Sequence, residues 1–123
     1  MGTEKKKILI IDDDITALDI VSFLFEQKGF AVERKTDGFG AIDYVKEHTP
    51  DLIVVDLRMP GIDGVETVKR IRALGISVPI IAFTAVDEPQ LHYDAEQAGC
   101  NRVLTKPCRP DKLLEHINQL LMN

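Results

Sequence analysis

The sequence predicts an α/β fold, a parallel sheet with helices on both faces, and three observations carry that prediction. Short apolar runs such as Ile8-Leu9-Ile10-Ile11 and Leu52-Ile53-Val54-Val55 read as strands buried on both sides. Between the runs, apolar residues recur at helical spacing. The two kinds of segment alternate along the chain, as strand–helix–strand crossovers require.

Strands are expected near 7–12, 31–35, 52–56, 79–83 and 102–105, with helices near 14–28, 38–47, 64–74, 88–98 and 109–122. The first strand runs into Asp12-Asp13-Asp14. Asp14 can cap the first helix, whose apolar stripe is Ile15, Leu18, Val21, Leu24 and Phe25, and Gly29 stops it. Asp37-Gly38 turns into the second helix, which buries Ala41, Ile42 and Val45, and Pro50 ends the following loop. The third strand ends in Asp56, and Asp63-Gly64 opens the third helix. There Val65, Val68, Ile71 and Leu74 are expected to face inward, with Gly75 as the stop. The fourth strand, Pro79 to Phe83, runs into Thr84-Ala85. The fourth helix has a thin stripe of Leu91, Ala95 and Ala98, so it is held weakly and shifts at low cost. Val103-Leu104-Thr105 runs into Lys106-Pro107. The last helix is strongly amphipathic through Leu113, Leu114, Ile117, Leu120 and Leu121.

At 123 residues the chain is expected to be one domain, an arm over 1–6 and a core over 7–122. A hydrophobic share of 45% with 28% charged residues reads as globular. The net charge of -5 argues against a nucleic-acid surface as the main function, and Lys5-Lys6-Lys7 reads as a solvated arm. No apolar run approaches the length of a membrane span, and no secretory signal opens the chain, so a cytoplasmic location without membrane contact is expected. Cys100 and Cys108 lack zinc-site spacing and read as reduced thiols.

In a parallel α/β sheet the strand C-termini converge on one edge, where ligands bind. That edge would collect Asp12, Asp13, Asp56, Thr84 and Lys106. Carboxylates crowded together repel and titrate upward unless a cation is present. A Mg²⁺ ion suits one or two carboxylates, waters and phosphate oxygens. A carboxylate can also be a nucleophile that forms an aspartyl phosphate, and a neighbouring cation offsets charge on the incoming group. The Thr84 hydroxyl can hydrogen-bond a phosphoryl oxygen, and small Ala85 leaves the pocket open.

This ordered set, with Met59-Pro60 and Asp63-Gly64 after Asp56, resembles the receiver domain of two-component response regulators of the chemotaxis-regulator kind. The likeness extends from Lys6 to Leu121. It implies a single receiver domain over 1–123, with a three-layer, doubly wound (βα)5 flavodoxin-like fold and strand order 2-1-3-4-5. It implies Asp56 as phosphoacceptor. It implies Mg²⁺ (or Mn²⁺) held by Asp13, by Asp12 mainly through water, by Asp56 and by the backbone carbonyl of Arg58, whose side chain is free to vary. Thr84 and Ala85 would be the switch that closes on the phosphoryl group, Lys106 its ion-pair partner, and Lys106–Pro107 a cis peptide. Two positions depart from the pattern. Val103 stands where an aromatic often rotates inward, and Cys108 where an aromatic commonly follows Lys-Pro.

The resemblance implies a phosphoryl donor in a sensor histidine kinase or histidine phosphotransfer protein, and an output protein or domain that reads the fourth helix, fifth strand and fifth helix. The segment Val86-Asp87-Glu88-Pro89 and the fourth helix are the natural movers. A monomer or weak dimer is expected. Such a module signals and does not turn over a metabolite. Three alternative functions fit the residues less well. An aspartyl-phosphate phosphohydrolase needs a second acid two residues after its nucleophile, where this chain has Arg58. A flavin carrier needs a phosphate cradle where Asp12-Asp13-Asp14 would repel. A receiver-like binding module without phosphorylation would have no use for the full set of site residues.

Overall fold

The computed structural model describes residues 5–85 and 87–122. Val86 and the first four residues of the expected arm lie outside the described residues. Five strands alternate with five helices: β1 (Lys7–Ile11), α1 (Ile15–Gln27), β2 (Ala31–Lys35), α2 (Gly38–Glu47), β3 (Leu52–Asp56), α3 (Gly64–Ala73), β4 (Ile80–Thr84), α4 (Pro89–Ala98), β5 (Arg102–Thr105) and α5 (Pro110–Leu121). All strand pairs are parallel, in the order β2-β1-β3-β4-β5. This is the flavodoxin-like arrangement that the resemblance implied.

Side-chain alternation along the strands makes two cores from one sheet. Ile8, Ile10, Leu52, Val54 and Ile81 pack with Leu18 and Phe25 of α1 and Leu113 and Ile117 of α5. Leu9, Ile11, Ile53, Val55, Ile80 and Ala82 pack with α2, α3 and α4 on the other face. Burial on both faces is why β1 and β3 read as unbroken apolar runs. The α4 stripe is as thin as expected, with Ala95 and Ala98 its buried residues.

The helix starts follow the expected chemistry. Asp14, Asp37 and Asp63 each accept a backbone N–H from the first turn of α1, α2 and α3. Gly29 and Gly75 follow the helix ends at positive φ, where a side chain would be strained. Two members of the expected stripes face solvent instead. Ile15 is 65% exposed and Leu74 is 45% exposed. Ile15 is the first residue of α1 and Leu74 the cap of α3, so each stands past the part of its helix that lies on the sheet. Boundaries also shift: β1 stops at Ile11, freeing Asp12 for the turn, and β4 includes Thr84. Lys7 belongs to β1 and not to an arm, its N–H donating to Asp51 Oδ2. Cys100 is buried and Cys108 half-buried, both free thiols, and burial pushes the Cys100 thiol up to about 12. Among the described residues, no helix is long and apolar enough to cross a membrane.

Candidate functional site

The strand register brings the expected residues to one edge. Ile11 lies opposite Val55, Asp56 opposite Phe83, and Thr84 opposite Thr105, so the chain leaves β1, β3, β4 and β5 at nearly one level. Asp12 follows β1 directly. Its N–H donates to the Lys35 carbonyl, and its Oδ1 accepts the Asp14 N–H at 2.9 Å, which fixes the turn. Asp12 is buried and Asp13 exposed. One carboxylate oxygen from each of Asp12, Asp13 and Asp56 lies within 4.8 Å of the others.

Asp56 is positioned by backbone contacts on two sides. Its Oδ1 accepts the Arg58 N–H at 3.1 Å. The start of α3 presses on the strand end: a Cβ on Gly64 would come within 2.5 Å of the Asp56 carbonyl oxygen and 2.6 Å of Leu57 Cα. Both are backbone atoms that cannot swing away, so only glycine permits this approach.

Lys106 crosses to the carboxylates from the end of β5. Its Nζ lies 3.1 Å from Asp12 Oδ2 and 3.6 Å from Asp56 Oδ2. The Lys106 N–H donates to the Thr84 carbonyl at 2.6 Å, tying the ends of β4 and β5 together. The ammonium also stands over the Phe83 ring, 5.4 Å from its centroid, which favours the charge electrostatically. The Lys106–Pro107 bond is cis. Thr84 is fully buried at the end of β4, with exposed Ala85 beside it.

The charges perturb one another. Burial pushes the Asp56 carboxyl up; the Arg58 N–H and Lys106 pull it down, Asp12 pushes it up, and the net shift is upward. Burial pulls the Lys106 ammonium down, but its hydrogen bond to Asp12 and the charges of Asp56 and Asp12 outweigh that and raise it. Three carboxylates facing one ammonium leave an excess of negative charge, aimed at one point by hard oxygen donors. A divalent cation of the Mg²⁺ type fits that donor set. Asp12, Asp13 and Asp56 would hold it, and it would supply positive charge to phosphoryl oxygens.

Val103 stands apart from this cluster, paired with Ala82 and packed against the core on the α3–α4 face. Three contributions escaped the sequence reading. Phe83 is a wall of the site, Gly64 sets the height of Asp56, and Glu88 takes the Arg58 guanidinium in an ion pair of 2.7 Å. The Gly64 position carried a signal, an Asp-Gly pair shortly after the Asp56 strand. The other two depend on which strands and loops become neighbours and carry none.

A model of the response regulator receiver domain matches residues 8–118. The chain belongs to this family. Chemotaxis protein CheY of Bacillus subtilis (strain 168) is 34% identical to the receiver over 116 residues, covering 94% of this chain and 97% of CheY. Transcriptional regulatory protein ZraR of Klebsiella oxytoca is 33% identical over 121 residues, covering 98% of the receiver but 27% of ZraR. The solved receiver domain of Francisella response regulator 1452 superposes with a TM-score of 0.90 at 30% identity, covering 96% of this chain and 98% of that one. Receivers of two-component systems are signalling phosphoacceptors, and the acidic group at Asp12, Asp13 and Asp56 is consistent with that role.

Proposed function

We propose that the receiver accepts a phosphoryl group on Asp56 from a phosphohistidine of a sensor histidine kinase or histidine phosphotransfer protein. The observation that carries this reading is the carboxylate of Asp56 at the tip of central β3, with Lys106 Nζ 3.6 Å away and two further carboxylates close by. The Asp56 oxygen attacks phosphorus while the bond to the donor nitrogen breaks. Lys106 offsets charge on the phosphoryl oxygens. Asp13, Asp56, the Arg58 carbonyl and, through water, Asp12 would hold Mg²⁺, which would supply positive charge at the same oxygens. Thr84 and Ala85 close on the product, a dianionic group with several acceptor oxygens.

The surroundings suit a protein donor. A groove of about 520 Å³ starts at Ala85 and Lys106 and runs between α1 and the segment after β5, past Ile20, Val21 and Pro107. Ile15, Ile20 and Phe23 of α1 are exposed. An apolar margin continuous with the acceptor pocket is where the phosphohistidine-bearing protein would seat.

The output is a shift in the surface formed by α4, β5 and α5, read by a partner protein or domain. Val103 has no ring to rotate, so coupling must take a route other than an aromatic flip. We place the protein in the cytoplasm, as one receiver over residues 1–123, monomeric or weakly dimeric, with no direct contact to nucleic acid.

Acetyl phosphate with Mg²⁺ should add about 80 Da to the wild type and nothing to Asp56→Asn, read by intact mass. Equal labelling of both proteins, or of neither, sinks the reading. Steady release of phosphate from small phosphomonoesters would instead favour a hydrolase.

A further inference from the structure

We propose that Glu88 sequesters the Arg58 guanidinium from the phosphoryl group, so that the unphosphorylated receiver carries its own inhibitory anion; this rests on Asp56 being the phosphoacceptor. Arg58 lies two residues beyond Asp56, and its N–H already contacts Asp56 Oδ1. Its side chain leaves the site and donates from Nη2 to Glu88 Oε1 at 2.7 Å. Glu88 occupies the cap position of α4 yet makes no capping hydrogen bond, and Pro89 opens the helix. The Glu88 carboxylate is turned instead toward the loop after β3, where it meets Arg58.

The pair bridges the loops that leave β3 and β4, neighbouring strands with Asp56 opposite Phe83. Both side chains are more than half exposed, at 59% and 56%, so mutual attraction holds them and little packing does. Such pairs are weak. A phosphoryl dianion offers the guanidinium more charge and more acceptor oxygens than one carboxylate. On phosphorylation Arg58 exchanges Glu88 for the phosphoryl oxygens. Linkage makes the effect reciprocal. Glu88 opposes phosphorylation, and phosphorylation frees the N-terminus of thinly packed α4. The bridge thus gives the site a connection to α4 that needs no aromatic at position 103.

The test uses acetyl phosphate and Mg²⁺ with intact-mass readout. An Asp56 oxygen forms the new bond to phosphorus, and acetate leaves with the electron pair of the broken one. Wild type, Glu88→Gln, Arg58→Ala and the double variant are compared. Glu88→Gln should accelerate labelling roughly two- to fivefold, the range an exposed pair supports, and the same change should do nothing in the Arg58→Ala background. Amide exchange in the first turn of α4 should rise when wild type is phosphorylated and be high beforehand in Glu88→Gln. An unaltered rate in Glu88→Gln overturns the proposal, as does equal acceleration with and without Arg58, because Glu88 would then act through its own charge. Normal wild-type labelling with either result leaves the acceptor role of Asp56 intact. No labelling of wild type removes that role, and the sequestration with it.

Discussion

Asp56 is under opposed influences, and their balance sets a measurable property. Desolvation favours its neutral form, while Lys106 and the Arg58 N–H favour the charged one. Burial wins, so the folded-state pKa lies above the ordinary 3.8. Between those two values the native state holds the proton that the unfolded chain has released. Stability therefore falls as pH rises through that window, and the loss is complete above the raised pKa. At neutral pH the metal-free receiver bears this cost. Asp56→Asn should raise its thermal midpoint by a few degrees in calorimetry with chelator present. The gain should shrink as pH falls through the raised pKa and vanish below about 3.8, the ordinary carboxyl value. A lower midpoint for Asn at pH 7 would show that the Lys106 pairing outweighs burial. The residue types at the strand ends were all legible in the sequence. The upward direction was also expected there, from crowded carboxylates; that burial leads it, ahead of Asp12 and against Lys106, was decided by the tertiary structure.

Elements are joined at the opposite side of the sheet by a single side chain. Arg72, near the end of α3, donates to the carbonyls of Gly99, Ile76 and Val78 and to Asn101 Oδ1. It thereby ties the end of α3 to the approaches of β4 and β5, and Asn101 Oδ1 also accepts the Ile80 N–H. Removing the guanidinium leaves several acceptors without their donor. Arg72→Ala should cost about 3 kcal/mol in urea unfolding, and Arg72→Lys should recover only part of it, since an ammonium cannot span the same fork. A cost below about 0.5 kcal/mol would place Arg72 among ordinary surface residues. Helical periodicity marked α3 correctly but put Leu74 inside and gave Arg72 no role. A stripe says which face of a helix is apolar. It does not say where the sheet beneath the helix stops, nor which loop carbonyls gather around a charged residue on its flank.

For the whole molecule, the site and the fold share one equilibrium. Asp12 and Asp13 after β1 and Asp56 at the end of β3 come together only when the sheet is formed, so a cation that binds all three binds the native state. Mg²⁺ at a hundredfold excess over its Kd should stabilise the receiver by about 2.7 kcal/mol, and EDTA should reverse the gain. Asp13→Asn should lose most of this effect at the same Mg²⁺ concentration while changing the metal-free midpoint little, because Asp13 is exposed. A midpoint indifferent to Mg²⁺ in the wild type would exclude the acidic group as a cation site.

The sequence by itself determined what backbone geometry and burial periodicity control. These are the alternation of strands and helices, the Asp caps of α1, α2 and α3, the glycine stops, and acidic, hydroxyl and lysine residues at strand ends. Such features arise from contacts within a few residues, so they leave a local pattern. Only the tertiary structure decided how near Lys106 stands to Asp12 and Asp56, that Gly64 bears on the Asp56 backbone, and that Arg58 spends its charge on Glu88. Each of these follows from strand order and register, which place distant loops side by side. No periodicity in the chain records that placement.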